Sequence, residues 1–201
     1  MHVSDARSAR IFALAVALTI ASLSIGTTIA VSQTRLPGMQ TSNEPWLAER
    51  LELGDRLRAV GIPALREEGN VLHTHQHLDV VVAGKNIPVP AHIGIDWMKR
   101  FISPVHTHDD TGIIHIEAAA IETYTLGQFF DVWGVRFDGK CLGSYCAGGN
   151  KLLRVYADGK LVNGDPRALA LTSRQIIAVM YGTSDQVARP PRASYDFPKG
   201  F

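Results

Sequence analysis

Every second residue from His73 to Asp79 is a histidine or an aspartate, and Val80-Val81-Val82 follows without interruption. Successive side chains of a β-strand point to opposite faces, so residues two apart share a face. The pattern therefore predicts a strand that carries His73, His75, His77 and Asp79 on one face. That arrangement is what a ligand site built on a β-sheet needs.

Several further segments are rich in β-branched and aromatic residues and are bounded by turn residues, which favours short strands. The clearest turn is Asp158-Gly159, because Asp-Gly between apolar segments is a strong hairpin signal. The candidate strands are residues 77–82, 112–117, 151–157, 161–162 and 175–181. We predict a mainly β domain, a small antiparallel β-sandwich or a barrel-like fold, with one short inserted helix.

Two helices are expected from periodicity and capping residues. The first is amphipathic, begins at Ser42 or Asn43 and ends at Gly61. The second is the inserted helix, and Thr125 is its expected N-cap. Its apolar side consists of Leu126, Phe129, Phe130 and Trp133. An aromatic stripe at helical spacing is usually core, so we assign these side chains to packing.

An apolar, uncharged segment covers residues 11–31. At about 1.5 Å per residue, a helix of this length spans roughly 30 Å, enough to cross a bilayer core. We predict a transmembrane signal-anchor, with residues 1–10 left in the cytoplasm because Arg7 and Arg10 precede it. The small residues of Thr28-Ile29-Ala30 leave a cleaved signal open. The body of the protein is then membrane-anchored outside the cytoplasm, or secreted or periplasmic after cleavage.

The rest of the chain is divided into three parts by its polarity and its predicted secondary structure. Residues 32–62 are expected to form a polar tether followed by the amphipathic helix. Residues 63–184 hold the histidines and the candidate strands, and are expected to form the β domain. Residues 185–201 are polar and contain proline, which predicts a flexible tail.

Composition excludes two classes of protein. The net charge is +1 and the basic residues are scattered, so there is no electrostatic footprint for a nucleic acid. Two cysteines are too few for a disulfide-framework miniprotein. In an exported domain, a disulfide between Cys141 and Cys146 is the simplest account of the pair. Free thiols and metal ligation remain alternatives.

Apart from His2, all of the chain's 8 histidines lie between residues 73 and 115. His92 is isolated, and we assign it a structural role. The others fall into three clusters that two strands and a loop could bring together. The candidate metal ligands are His73, His75, His77, His106, His108 and His115. Glu117 and Asp79 are expected to bind the ion as well or to orient the imidazoles.

The chemical type of the candidate ligands limits which metal ions the site can bind. Imidazole suits zinc, copper, nickel and iron, whereas calcium and magnesium prefer oxygen ligands. No cysteine or methionine lies inside the histidine clusters, which argues against a site for Cu(I). We therefore expect Cu(II) or Zn(II).

Three motifs together resemble a group of uncharacterised exported or membrane-anchored proteins of bacteria and archaea. The motifs are His73-Thr-His-Gln-His-Leu78, His106-Thr-His-Asp-Asp-Thr-Gly-Ile-Ile-His-Ile-Glu117 and Thr125-Leu-Gly-Gln-Phe-Phe-Asp-Val-Trp-Gly134. The resemblance covers roughly residues 60 to 182 and implies an exported domain, but it implies no activity. Pro104-Val-His-Thr-His108 is similar to the first cupin motif, although Glu117 comes later than that motif requires. The second cupin motif is not recognisable, so no catalytic residue is carried over.

The sequence is compatible with three functions. The first is a membrane-tethered, extracytoplasmic metal-binding domain for metal capture, delivery or sensing. The second is a metal-dependent oxidoreductase or hydrolase, in which Glu117 is the candidate general base and the ion keeps an open position. The third is a structural or interaction module whose histidines form hydrogen bonds or respond to pH. The expected partners are a metal ion and a membrane; the sequence identifies no protein partner.

Overall fold

The computed structural model describes residues 36–192 and 194–201. The predicted cytoplasmic segment 1–10 and anchor 11–31 lie outside these residues. Within the described ranges, no helix is both long and apolar enough to cross a bilayer. The helices and strands are α1 (Leu53–Val60), β1 (Leu72–Val82), β2 (Lys85–Ile87), β3 (Ile95–Asp96), β4 (Phe101–Ile102), β5 (Val105–His106), β6 (Ile113–Ala118), α2 (Leu126–Trp133), β7 (Cys141–Leu142), β8 (Tyr145–Cys146), β9 (Leu152–Ala157), β10 (Lys160–Leu161) and β11 (Ile176–Gly182).

The main sheet of the described region has seven strands in the order β10-β9-β11-β1-β6-β5, with β2 paired to one end of β1. This confirms the mainly β prediction and places the five candidate strands within it. The predicted antiparallel arrangement needs one correction, because β1 and β11 run parallel. The long chain between them, which includes α2, allows the crossover that a parallel pair requires.

One face of the sheet packs against both helices and forms the main hydrophobic core. Even-numbered residues of β1 and β6 point to this face, and odd-numbered residues of β9 and β11 join them. The sheet residues of this core are Leu78, Val80, Val82, Ile114, Ile116, Val155, Ile177 and Val179. Since this face takes the apolar side chains, the opposite face of β1 and β6 carries the histidines.

Helix α2 begins and ends as the sequence predicts. Thr125 forms a capping box with Gln128, and Gly134 ends the helix in the left-handed conformation with φ 78°. Phe129, Phe130 and Trp133 are fully buried. The assignment of this aromatic stripe to the core is confirmed.

Helix α1 is shorter than predicted, because it begins at Leu53 rather than near Ser42. The preceding segment uses its backbone groups elsewhere. Ser42 O accepts from Ser144 N–H at 3.0 Å, and Leu47 O accepts from Trp133 Nε1–H at 3.2 Å. Leu47 N–H donates to Gln40 Oε1 at 2.9 Å, so these backbone groups are bonded outside an α-helical pattern.

Arg56 of α1 has a fully buried side chain. Its Nε donates to Asp131 O at 2.9 Å, and a terminal nitrogen donates to Val132 O at 3.2 Å. It also forms an ion pair with Glu49. The last carbonyls of a helix lack partners within the helix and attract positive charge. Arg56 therefore caps α2 from a neighbouring helix.

The disulfide prediction is confirmed. Cys141 and Cys146 occupy directly paired positions of β7 and β8 and are bonded to each other. The bond closes the small hairpin that follows α2.

Candidate metal centre

The face of the sheet opposite the helices carries a row of three histidines on three adjacent strands. His75 of β1 lies opposite His115 of β6, which lies opposite His106 of β5. The next row pairs His73 with Glu117. Side chains directly opposite each other on neighbouring strands come close enough to touch. Strand register alone therefore gathers four imidazoles and one carboxylate.

The loop after β5 adds His108 to this group. Thr107 points to the other side, where its hydroxyl donates to Pro90 O at 2.8 Å and accepts from Ile93 N–H at 3.0 Å. Because Thr107 is held there, His106 and His108 both face the histidine row. The ring centroid of His108 lies 4.5 Å from that of His115.

Two pairs of imidazole nitrogens approach each other closely. The Nε2 atoms of His73 and His75 are 3.2 Å apart, and those of His106 and His108 are 3.1 Å apart. Two imidazole nitrogens bound to one tetrahedral zinc ion, each at about 2.0–2.1 Å, would lie roughly 3.3 Å apart. Each pair is thus spaced like two ligands of a common ion.

Glu117 lies between the two pairs and is buried. Its Oε1 is 3.2 Å from His73 Nε2 and 3.2 Å from His115 Nδ1. Its Oε2 is 3.7 Å from His106 Nε2. The two carboxylate oxygens therefore face different histidine pairs.

The backbone fixes the tautomer of His106. Its Nδ1–H donates to Ser103 O at 2.9 Å, which leaves the Nε2 lone pair directed at His108 and Glu117. A ligand histidine commonly donates its other nitrogen to a carbonyl or carboxylate in this way.

Among residues 36–192 and 194–201, two overlapping sets of side chains could each hold a metal ion. In each set the potential ligand atoms lie within 4.8 Å of one another. The first set is His73, His75, His115 and Glu117, and the second is His106, His108, His115 and Glu117. His115 and Glu117 belong to both sets.

Burial keeps the imidazoles of His75, His106 and His115 neutral, as metal ligation requires. It lowers the pKa of His75 to about 4, and lowers the pKa of His106 and His115 to about 3. Neighbouring histidines add to each shift. Burial and the nearby Glu68 carboxylate raise the pKa of Glu117 to about 7. These three imidazoles therefore bring no positive charge to the centre near neutral pH.

Metal-free protein is expected to lose stability as the pH falls from about 6.5 towards 4. The unfolded imidazoles of His75, His106 and His115 take up protons below their usual pKa of 6.5, whereas the folded ones do not until about pH 4 or 3. Each can cost up to about 1.4 kcal/mol per pH unit. Glu117, with its raised pKa, adds to the free energy of unfolding as the pH falls from 7 to 4.5. This gain from one group is smaller than the loss from the three imidazoles. Urea unfolding of metal-free protein at pH 6.5 and 5 measures the difference.

The matched control for this titration is His92→Asn. His92 is exposed and has φ 65°, a conformation that asparagine tolerates. This variant should keep the full pH dependence, whereas His75→Gln should reduce it by the contribution of one imidazole. Equal stability at pH 6.5 and 5 would contradict the neutral, buried state of the three imidazoles.

His77 and Asp79 share the histidine face but lie outside both sets. His77 Nε2–H donates to Thr111 O at 3.1 Å, and its ring stacks on Tyr195 at 3.9 Å between centroids. Asp79 forms an ion pair with Arg192 at 2.8 Å. The structure thus brings five of the six predicted ligand histidines together with Glu117, while His77 and Asp79 contact the C-terminal segment.

Two contacts of the centre had no signal in the sequence. Glu68 lies at its exposed edge, with Oε1 at 3.4 Å from His108 Nε2. Phe201 lies against the rings of His75 and His115, at 4.3 and 5.3 Å between centroids. Segment 185–201, predicted as a flexible tail, thus contributes an aromatic cover. Neither residue belongs to a histidine motif, so only the folded chain identifies them.

Comparisons with protein-family models, with curated proteins and with solved structures found no match to this chain. The fold and the candidate metal centre therefore carry the functional argument.

Proposed function

We propose that this protein is a membrane-tethered, extracytoplasmic domain that captures, delivers or senses Cu(II) or Zn(II). The observation that carries the proposal is the convergence of five imidazoles and Glu117 on one sheet face. Within it, the Nε2 atoms of His106 and His108 are 3.1 Å apart, although neutral imidazoles gain no more than a single hydrogen bond from such an approach. A cation between them would be bound by both nitrogens.

The donor set supports a binding role. Each set offers four ligand atoms, the number that fills a tetrahedral zinc shell, whereas catalytic zinc sites keep one position open. Imidazole and carboxylate are also suitable ligands for Cu(II). The ring of Phe201 over His75 and His115 further restricts access to the ion.

The location outside the cytoplasm is supported by two features. The uncharged segment at residues 11–31 has the length of a membrane anchor. The disulfide between Cys141 and Cys146 suits an oxidising compartment. A domain tethered there would meet metal ions before they reach the cytoplasm.

The test is metal content and metal-dependent stability of protein purified without a histidine tag. Stoichiometric copper or zinc is expected in the purified protein. After chelation, Cu(II) or Zn(II) at 100 times Kd should add about 2.7 kcal/mol to the free energy of unfolding, a rise in Tm of roughly 5–10 °C.

The quadruple variant His73→Ala/His75→Ala/His106→Ala/His108→Ala, which removes the paired histidines of both ligand sets, should lose most of this stabilisation. His92→Asn is the control that should keep it. His92 lies against Trp97, with centroids 4.6 Å apart, and belongs to neither ligand set. If the native protein carries no metal and neither ion raises its Tm, the proposed function is wrong.

A further inference from the structure

We propose that the centre binds two metal ions at once, with the carboxylate of Glu117 bridging them. This inference rests on the proposed function, because it specifies how many ions the same site holds. Two ions would use both ligand sets together, whereas a single ion would leave one pair of histidines without metal.

The strongest argument is the orientation of the Glu117 carboxylate. Oε1 faces His73 Nε2 at 3.2 Å, while Oε2 faces His106 Nε2 at 3.7 Å. A carboxylate bound by both oxygens to one ion would face one histidine pair only. Glu117 instead presents one oxygen to each pair, as a bridging carboxylate does.

The five histidines of the centre form two pairs with one histidine between them. His73 and His75 form one pair on β1, and His106 and His108 form the other pair on β5 and the loop after it. His115 lies between them, with ring centroids 4.6 Å from His75 and 4.5 Å from His108. A pair of histidines and one Glu117 oxygen give each ion three ligands, and His115 can complete either shell. Two-metal centres in proteins commonly hold their ions about 3.5–4 Å apart.

Two divalent ions need negative charge nearby, and the edge of the centre supplies it. Glu68 is exposed, and its Oε1 lies 3.4 Å from His108 Nε2. A carboxylate beside a bound divalent cation offsets part of the positive charge of that cation. Glu68 is thus placed to complete the shell of the ion at His106 and His108.

The test is a titration of metal-free protein with Cu(II), followed by calorimetry and by EPR spectroscopy. Saturation at two ions per chain is expected, with an EPR spectrum at two equivalents that is broadened or diminished by coupling between the ions. Each double variant, His73→Ala/His75→Ala and His106→Ala/His108→Ala, should bind one ion and give an uncoupled spectrum.

Glu117→Gln isolates the bridge, because an amide keeps an oxygen ligand but cannot bridge as a carboxylate does. Its Kd for the second ion should rise roughly 10- to 100-fold, with loss of the coupling. The matched control is Glu67→Gln, an exposed glutamate that belongs to neither set and should leave both Kd values unchanged.

The outcomes separate the two proposals. Saturation at one ion overturns the two-ion centre and leaves the metal-binding function standing. Two ions without coupling also overturn it, since the second ion then lies elsewhere on the chain. Absence of bound Cu(II) overturns the two-ion centre for copper, and absence of both Cu(II) and Zn(II), tested in the same way, overturns both proposals.

Discussion

His115→Ala is expected to weaken Cu(II) and Zn(II) binding by about 100-fold or more, because the loss of a residue that only orients a ligand already costs 10- to 100-fold. His115 belongs to both ligand sets, and its ring is 4.5–4.6 Å from the rings of His75 and His108. No other imidazole in the centre lies between both pairs. Competition with a chelator of known affinity, monitored by calorimetry, measures the change.

His77→Ala is the matched comparison on the same face of the sheet. His77 is equally buried, but its ring stacks on Tyr195 and it belongs to neither ligand set. We expect its metal affinity to stay within about threefold of the native value, well below the cost of a lost orienting group. If His77→Ala were as damaging as His115→Ala, the six-histidine site expected from the sequence would describe the centre better than the two sets do.

Arg56→Met is expected to lower the free energy of unfolding by about 3–5 kcal/mol, as is usual when one partner of a buried ion pair is removed. The substitution leaves the Glu49 carboxylate without its cation and removes the donors to Asp131 O and Val132 O at the end of α2. The methionine fills most of the space of the arginine stem, so the loss arises from polar groups rather than from a cavity. Urea denaturation measures it.

Arg58→Met on the same helix is the control. Its side chain is 78% exposed and pairs with Asp55, and exposed ion pairs contribute little to stability. The variant should unfold at nearly the native urea concentration. A similarly small effect for Arg56→Met would show that water can replace its bonds to the end of α2.

The histidine face of β1 was predictable because alternation along a strand is a local property of the sequence. The same holds for β6, where Ile114 and Ile116 point to the core and leave His115 and Glu117 on the other face. Capping and aromatic spacing likewise predicted α2. In each case the information lies within a few consecutive residues.

The composition of the centre was less predictable, because it depends on which strands are neighbours. His73 and His75 lie opposite Glu117 and His115, whereas His77 lies opposite Ile113 on one side and Ile176 on the other. His77 therefore meets no further ligand on the adjacent strands. No local pattern reports this register, nor the parallel pairing of β1 with β11.

The cover over the centre has a practical consequence for anyone who handles the protein. Phe201 touches His75 and His115, so a hexahistidine tag inserted beside it would lie within reach of the ions. The imidazoles of the tag would compete for the same metal, change its apparent stoichiometry and displace the aromatic ring. Purification without a tag beside Phe201 keeps the natural ligands in competition only with the solvent.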